Sequence, residues 1–290
     1  MNRVGFAGLG RMGALMAANL ADAGFEPALW NRSATRADEL AHETASVVYA
    51  TPRELAEHCD VVVTMLADDR ASEEVHHGDD GLFAATGGAR HFIEMGTLGP
   101  HHVRRLAAAA GDRVLVDAPV SGSVDAARDA DLMIMVGADE STIEPVRPVL
   151  EAMSREIICL GSLGRGATMK LAINMLIHGL NQTLAESLML AEAAGIAPEI
   201  AYRAIERSAA AAPVIRYRKP LYLDEKAHPV SFALSLARKD VGLAMELAAE
   251  FGVEMPQTQL NLGQLRAAEE AGYGERDMAS IIDYMRGRTC

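Results

Sequence analysis

Val4-Gly5-Phe6-Ala7-Gly8-Leu9-Gly10-Arg11-Met12-Gly13 sets a G-x-G-x-x-G turn directly behind a short apolar run. In a strand-turn-helix unit the first glycine makes the tight turn and the second lets the backbone approach a pyrophosphate. The third lets the following helix pack on the strand. Unpaired N–H groups and the helix dipole then hold the anion at the helix N-terminus. The context agrees, because apolar residues recur at helical spacing from Arg11 to Ala23 and Gly24 ends the run. The stretch predicts a dinucleotide site, with Gly8, Leu9, Gly10, Arg11, Met12 and Gly13 against the cofactor.

About 20 residues further on, an acidic side chain would hydrogen-bond a ribose 2′-hydroxyl. Here Pro27-Ala28-Leu29-Trp30 runs into Asn31-Arg32-Ser33, with Arg36 one turn later. Guanidinium and hydroxyl groups suit a 2′-phosphate, which a carboxylate would repel. The cofactor is therefore read as NADP, NADPH favoured over NADH, with Asn31, Arg32, Ser33 and Arg36 as contacts. Taken alone, Arg32 reads as a solvated loop charge.

Strand-like runs at 4–7, 27–30, 61–66, 91–95, 114–118 and 132–136 alternate with helical patterns, which implies a parallel, doubly wound sheet. Ligands of such sheets lie at the C-terminal strand ends. Segments 8–13, 31–36, 66–69, 96–100 and 119–123 should then line one crevice. From about residue 165 to 194 the apolar spacing is helical without interruption, a length of roughly 45 Å, and Gly195 ends it. Helical patterns follow at 198–210, 231–251, 255–272 and 277–286. The expected fold is α/β, with an N-terminal Rossmann-like doubly wound sheet (1–162), a long linking helix (163–194) and an all-helical C-terminal domain (195–290).

A net charge of −13 sets the chain against nucleic acid and anionic membranes. No run of 18 apolar residues occurs, and Met1 leads into a strand too soon for a signal peptide. Cys59, Cys159 and Cys290 are few, odd in number and far apart, which fits a reducing cytoplasm better than a disulfide framework. The pairs His76-His77 and His101-His102 lack partners at ligand spacing, so no metal is expected.

Gly161-Ser162-Leu163-Gly164-Arg165-Gly166-Ala167-Thr168-Met169-Lys170 feeds a glycine-rich turn into the long helix, and Asn174 shares the face of Lys170 one turn on. A lysine beside a hydride acceptor can supply the proton that a developing alkoxide needs, and partial burial lowers its pKa toward neutrality. The plain alternative is a snorkelling surface lysine. Asp117-Ala118-Pro119-Val120-Ser121-Gly122-Ser123 offers hydroxyls and N–H groups as a nest for a carboxylate, or is a simple turn. Thr97 follows a strand as a contact on the nicotinamide side. Lys239 in Arg238-Lys239-Asp240 either reaches toward the cofactor or belongs to a helix-surface charge pair.

Together these segments resemble the β-hydroxyacid dehydrogenase family of 3-hydroxyisobutyrate dehydrogenases and tartronate, glyoxylate or succinic semialdehyde reductases. The resemblance rests on GLGRMGALMAANL at 8–20, DAPVSGS at 117–123, GRGATMKLAIN at 164–174 and KDVGLA at 239–244. It implies an active site between two domains, Lys170 as the catalytic lysine, Asn174 as its companion, and Ser121, Gly122 and Ser123 as the substrate turn. It further implies Thr97, Lys239 and Met65-Leu66 as cofactor contacts, a small carboxylate-bearing substrate, and a homodimer or homotetramer. Phe232, with Leu236 and Tyr217, is a candidate for the substrate pocket. Two positions depart from the family pattern. Ser123 stands where a glycine is usual, and Gly96 where a serine or threonine is usual.

The expected activity is NADP-dependent interconversion of a small semialdehyde or 2-oxo acid and its hydroxy acid. An NADPH-dependent imine reductase shares this architecture, but an aspartate or tyrosine commonly replaces the lysine there. A non-catalytic NADP-binding sensor would be expected to have lost the lysine or the substrate turn.

Overall fold

The computed structural model describes residues 2–288, so Cys290 lies outside the described residues. The chain forms two compact units, one running through Lys170 and the other starting at Leu171.

In the first unit, β1 (Arg3–Ala7), β2 (Glu26–Trp30), β3 (Val47–Val48), β4 (Val61–Thr64), β5 (His91–Glu94) and β6 (Val114–Asp117) form one sheet. Its order is β3-β2-β1-β4-β5-β6 and every pairing is parallel. The connections carry α1 (Gly13–Asp22), α2 (Ala34–Thr44), α3 (Pro52–Glu57), α4 (Asp69–His77) and α5 (Pro100–Ala109). Strand β4 is Val-Val-Val-Thr and wholly buried, as a strand covered by helices on both faces must be. Strand order reverses between β1 and β4, the place where such sheets open a crevice for a ligand.

The run at 132–136 is a strand but does not join this sheet. β7 (Val120–Ser121), β8 (Leu132–Val136) and β9 (Ser154–Cys159) form a separate three-stranded sheet, with β7 antiparallel to β8 and β8 parallel to β9. A parallel return needs a crossover of a dozen or more residues. Between β7 and β8 stands only the one-turn helix α6 (Val124–Arg128), so the chain doubles back instead. β3 and β7 escaped the sequence pattern because each is two residues long. β9 escaped it because Ser154-Arg155-Glu156 opens it without an apolar face.

After α7 (Glu140–Ile143) and α8 (Arg147–Glu151) comes α9, Arg165–Ala193, a single helix of 29 residues. It ends before Gly195, whose φ of +82° is open to glycine at little cost. Among the described residues the second unit is helical, with α10 (Pro198–Arg207), α11 (Pro213–Tyr217), α12 (Lys219–Leu223), α13 (Leu234–Glu250), α14 (Pro256–Ala268) and α15 (Ile281–Arg286). Its core gathers Leu184 and Leu188 of α9 with Tyr202, Leu234, Val241, Leu265 and Ile281.

The helix expected from 231 begins only at Leu234, because the N–H groups of Ser231 and Phe232 both donate to Asp277 Oδ2, at 2.9 and 3.1 Å. Arg218 pairs with the same carboxylate from α11's end. The helix expected over 255–272 stops at Ala268 and continues as a wide turn, Glu269–Tyr273, in which Gly272 takes φ +91°. Among the described residues no helix is long and apolar enough to cross a membrane.

Candidate functional site

Gly8 leaves β1 at φ +102°, and a Cβ there would strike the Met65 carbonyl. A Cβ on Gly13 would strike the Gly8 carbonyl, which is why α1 can start so close under the strand. A Cβ on Gly10 would meet no atom within 4 Å, so this glycine faces open space. The Leu9 N–H donates to Asn31 Oδ1 at 2.9 Å, and Asn31 Nδ2 donates to the Ser33 carbonyl at 2.9 Å. Asn31 therefore staples the turn after β1 to the turn after β2. No side chain caps α1 at Met12 and no acidic residue stands in its first turn, so its N-terminal dipole is left to attract an anion.

A cavity of about 570 Å³ opens at these strand ends. Gly8, Gly10, Asn31, Arg32, Arg36, Met65 and Leu66 line it, as do Asp68, within the expected segment 66–69, and Arg70, just beyond it. Leu9, Arg11, Met12, Gly13 and Ser33 flank it in the chain. The volume suits a cofactor. Arg32 and Arg36 are exposed, and neither forms an ion pair among the described residues.

At the end of β5 the Glu94 side chain is buried. Its Oε1 accepts the Gly96 N–H at 3.1 Å, and its Oε2 accepts the Ser72 hydroxyl of α4 at 3.1 Å. Burial pushes the carboxyl up to about 7, although donors from Thr64, Gly96 and Ser72 pull the other way. A Cβ on residue 96 would stand 2.7 Å from the Leu66 carbonyl and 3.1 Å from Glu94 Oε1. The Leu66 carbonyl leaves no room for a Cβ and the Glu94 carboxyl crowds the same space, which explains the glycine at this position. Thr97 beside it is half-buried. His76, also on α4, sits with Nδ1 at 2.8 Å from the Ser72 carbonyl, and burial takes its pKa down to about 4.

Ser121 closes β7 half-buried. A Cβ on Gly122 would come within 2.6 Å of Leu132 Cδ2. Ser123 Oγ accepts the Ala126 N–H at 3.1 Å and caps α6. The third residue of the turn thus uses its hydroxyl on its own helix, which accounts for serine where glycine is usual.

Asp117, the last residue of β6, is buried and aims its carboxylate at the start of α9. Oδ1 accepts the Gly164 N–H at 3.0 Å and Oδ2 accepts the Ala167 N–H at 2.9 Å. Burial raises its pKa, and these two donors oppose the rise. A Cβ on Gly137 or Gly166 would collide with this carboxylate, so both glycines make room for it. An acid at a helix N-terminus both satisfies orphan donors and complements the dipole. Three residues past Ala167 stands Lys170, half-buried rather than snorkelling from an exposed face.

In the second unit Asn174 is buried and its Nδ2 donates to Asp240 Oδ2 at 2.6 Å. A carboxylate only accepts, so the amide nitrogen faces it and the Asn174 carbonyl oxygen is turned away. Lys239 Nζ lies 3.1 Å from Asp240 Oδ1. Asp240 is wholly buried and Lys239 largely so, which removes the surface charge-pair reading. His178 stands one turn beyond Asn174, with Nε2 at 4.0 Å from Asp240 Oδ2 and its ring 5.7 Å from that of Phe232. Phe232 packs against the second unit's core. The supporting acids Glu94, Asp117 and Asp240 were not foreseen as such. For Asp117 the available signal was an acid closing an apolar run, Val114-Leu115-Val116-Asp117, whereas Asp240 follows two cations, Arg238 and Lys239, and carries no such signal.

Known proteins resemble the chain along nearly its whole length. The family model for the NAD binding domain of 6-phosphogluconate dehydrogenase matches residues 3–161. That for the NAD-binding region of NADP-dependent 3-hydroxyisobutyrate dehydrogenase matches 164–285. The chain is 32% identical to a probable 3-hydroxyisobutyrate dehydrogenase of Mycobacterium tuberculosis, covering 99% of each. It is 29% identical to glyoxylate/succinic semialdehyde reductase 1 of Arabidopsis thaliana, covering 98% of each. The solved structure of M. tuberculosis 3-hydroxyisobutyrate dehydrogenase with L-serine superposes with a TM-score of 0.84 at 31% identity, covering 99% of both chains. The chain belongs to the β-hydroxyacid dehydrogenase family. It is an NAD(P)-dependent oxidoreductase of the hydroxyacid dehydrogenase type, and its first unit is the dinucleotide-binding domain.

Proposed function

We propose that this protein is an NADP-dependent oxidoreductase that interconverts a small semialdehyde or 2-oxo acid and the corresponding hydroxy acid. The carrying observation is the anchoring of α9 by Asp117, which fixes Lys170 three residues beyond the last capped N–H, with Asn174 one turn further on. Bound nicotinamide supplies or accepts the hydride. Lys170 Nζ gives a proton to the carbonyl oxygen in reduction and takes it back in oxidation. Asn174, held by Asp240, orients the substrate, and the Ser121–Gly122–Ser123 turn takes its carboxylate through backbone N–H groups and the Ser121 hydroxyl. Phe232 adds an apolar wall.

The cofactor preference rests on Arg32 and Arg36, which both line the cavity where β2 ends without an acid. A relative from Pseudomonas aeruginosa at 32% identity is named an NAD-dependent L-serine dehydrogenase; the NADP reading for this chain is carried by its own two arginines. Thr97 and Lys239 complete the proposed cofactor contacts. Exposed Leu176, Leu190, Phe251 and Leu260 of the second unit support self-association as a dimer or tetramer. Free Cys59, held near 12 by burial and inert, and free Cys159 suit a reducing cytoplasm.

The test is oxidation of NADPH and NADH by the purified protein with glyoxylate, succinic semialdehyde, tartronate semialdehyde and methylmalonate semialdehyde. NADPH-selective turnover of at least one acid supports the proposal. Tight NADPH binding without turnover of any of them contradicts it.

A further inference from the structure

Glu94 is a buried acid that the reaction above does not use. Its carboxyl lies one layer behind the cavity wall. Ser72, which donates to one oxygen, sits on α4 between Ala71 and the cavity-lining Glu74 and Val75. Gly96, whose N–H donates to the other oxygen, has its Cα packed against the carbonyl of cavity-lining Leu66. One side chain thus ties together the two segments that flank the strand-end crevice, and it does so from the end of β5, in register with Thr64 of β4.

We infer that Glu94 is a positioning residue whose charge sets the preference of the site between oxidised and reduced cofactor, resting on the reading that the cavity takes a nicotinamide dinucleotide. Oxidised nicotinamide carries one positive charge, and gain of a hydride removes it. A carboxylate fixed behind the wall attracts the charged ring and is indifferent to the neutral one. Protonation removes that attraction and also turns one oxygen from acceptor to donor, so the contact with Ser72 must reverse. Ser72 Oγ can accept because a hydroxyl oxygen carries two lone pairs.

Neighbouring titratable groups lie on α4 and α5. Asp69 of α4 faces it and disfavours its ionisation. His76 of α4 is held neutral by burial, with a pKa of about 4. His102 of α5 is also lowered by burial, against the pull of Asp69 and Glu73. The carboxyl itself stands at about 7.

The experiment measures dissociation constants of NADP+ and NADPH for the full chain between about pH 6 and pH 8.5, in the wild type, Glu94→Gln and Ser72→Ala. The cofactor's 2′-phosphate titrates in both forms and cancels in the ratio. In the wild type, Kd(NADPH)/Kd(NADP+) should rise with pH by about tenfold, the scale of a partly screened charge pair. Glu94→Gln should hold the ratio at its acid-side value throughout. Ser72→Ala, which removes a donor to the charged form, should move the midpoint to higher pH and serves if Glu94→Gln does not fold. A pH-independent ratio in the wild type, or an unchanged profile in the variants, overturns the inference alone. Binding of neither cofactor overturns both readings, whereas cofactor binding without turnover overturns only the proposed activity.

Discussion

The Asp117 carboxylate accepts the Ala167 N–H at 2.9 Å, so the end of β6 fixes the first turn of α9 three residues ahead of Lys170. Removing that cap leaves two buried N–H groups unpaired, those of Gly164 and Ala167. Asp117→Ala should cost on the order of 1–3 kcal/mol of stability. It should lower kcat by about tenfold or more while leaving the Kd for NADPH within roughly twofold, because a misplaced proton donor harms the chemical step most. Thermal denaturation and steady-state kinetics check the two halves separately.

Arg32 and Arg36 line the cavity beyond Asn31. Arg32→Ala and Arg36→Ala should each weaken NADPH binding by about tenfold and change NADH binding little, since each removes roughly 1.5 kcal/mol of charge-assisted contact with a 2′-phosphate. Raising the salt concentration should weaken wild-type NADPH binding more than NADH binding. Equal losses for both cofactors would show that the arginines do not read the 2′-phosphate.

Asn174 and Asp240 act as one element. Asn174→Ala and Asp240→Asn should each lower kcat, and the double variant should be little worse than the poorer single one. The interaction energy should then fall within about 0.5–3 kcal/mol. Additive losses would separate the two residues. Asp240→Asn should also destabilise the fold, because Lys239 Nζ loses the carboxylate that stands 3.1 Å from it.

Folding stability should carry the signature of Glu94. Its folded-state pKa of about 7 lies above the ordinary 4.5, so the folded chain binds this proton more tightly than the unfolded one. The stabilisation is fully present below about 4.5 and is lost as pH rises through about 7. Between about pH 5 and pH 8, Glu94→Gln should therefore gain on the wild type by on the order of 2–3 kcal/mol, measured by denaturant unfolding. His76 works in the opposite sense, because its pKa is depressed to about 4. Its contribution is present above about 6.5 and lost as pH falls toward 4.

The strands that place the cofactor cavity were legible because each is a run of apolar residues ended by a glycine or polar turn, and the long helix was legible within one residue at its C-terminal end. The smaller sheet was not. Its assembly depends on α6 being too short to carry a crossover, a geometric limit that no residue pattern displays. The glycine turn and the arginines of the β2 loop could be found from local spacing, since neighbours in sequence line one cavity. The acids behind them could not. Asp117 meets Ala167 across 50 residues and Asn174 meets Asp240 across 66, so their roles exist only once the chain is folded. Gly96 and Ser123, which stood out in the sequence as departures, make sense only beside the Leu66 carbonyl and the α6 N-terminus.

The most direct test of the account is Lys170→Ala, assayed for NADPH binding and for single-turnover reduction of the best semialdehyde with NADPH already bound. The account predicts an NADPH Kd within about twofold of the wild type and a hydride-transfer rate lower by about 10²–10⁴, the usual worth of a positioned general acid. A single-turnover rate within a few-fold of the wild type would show that the proton comes from elsewhere and would contradict it.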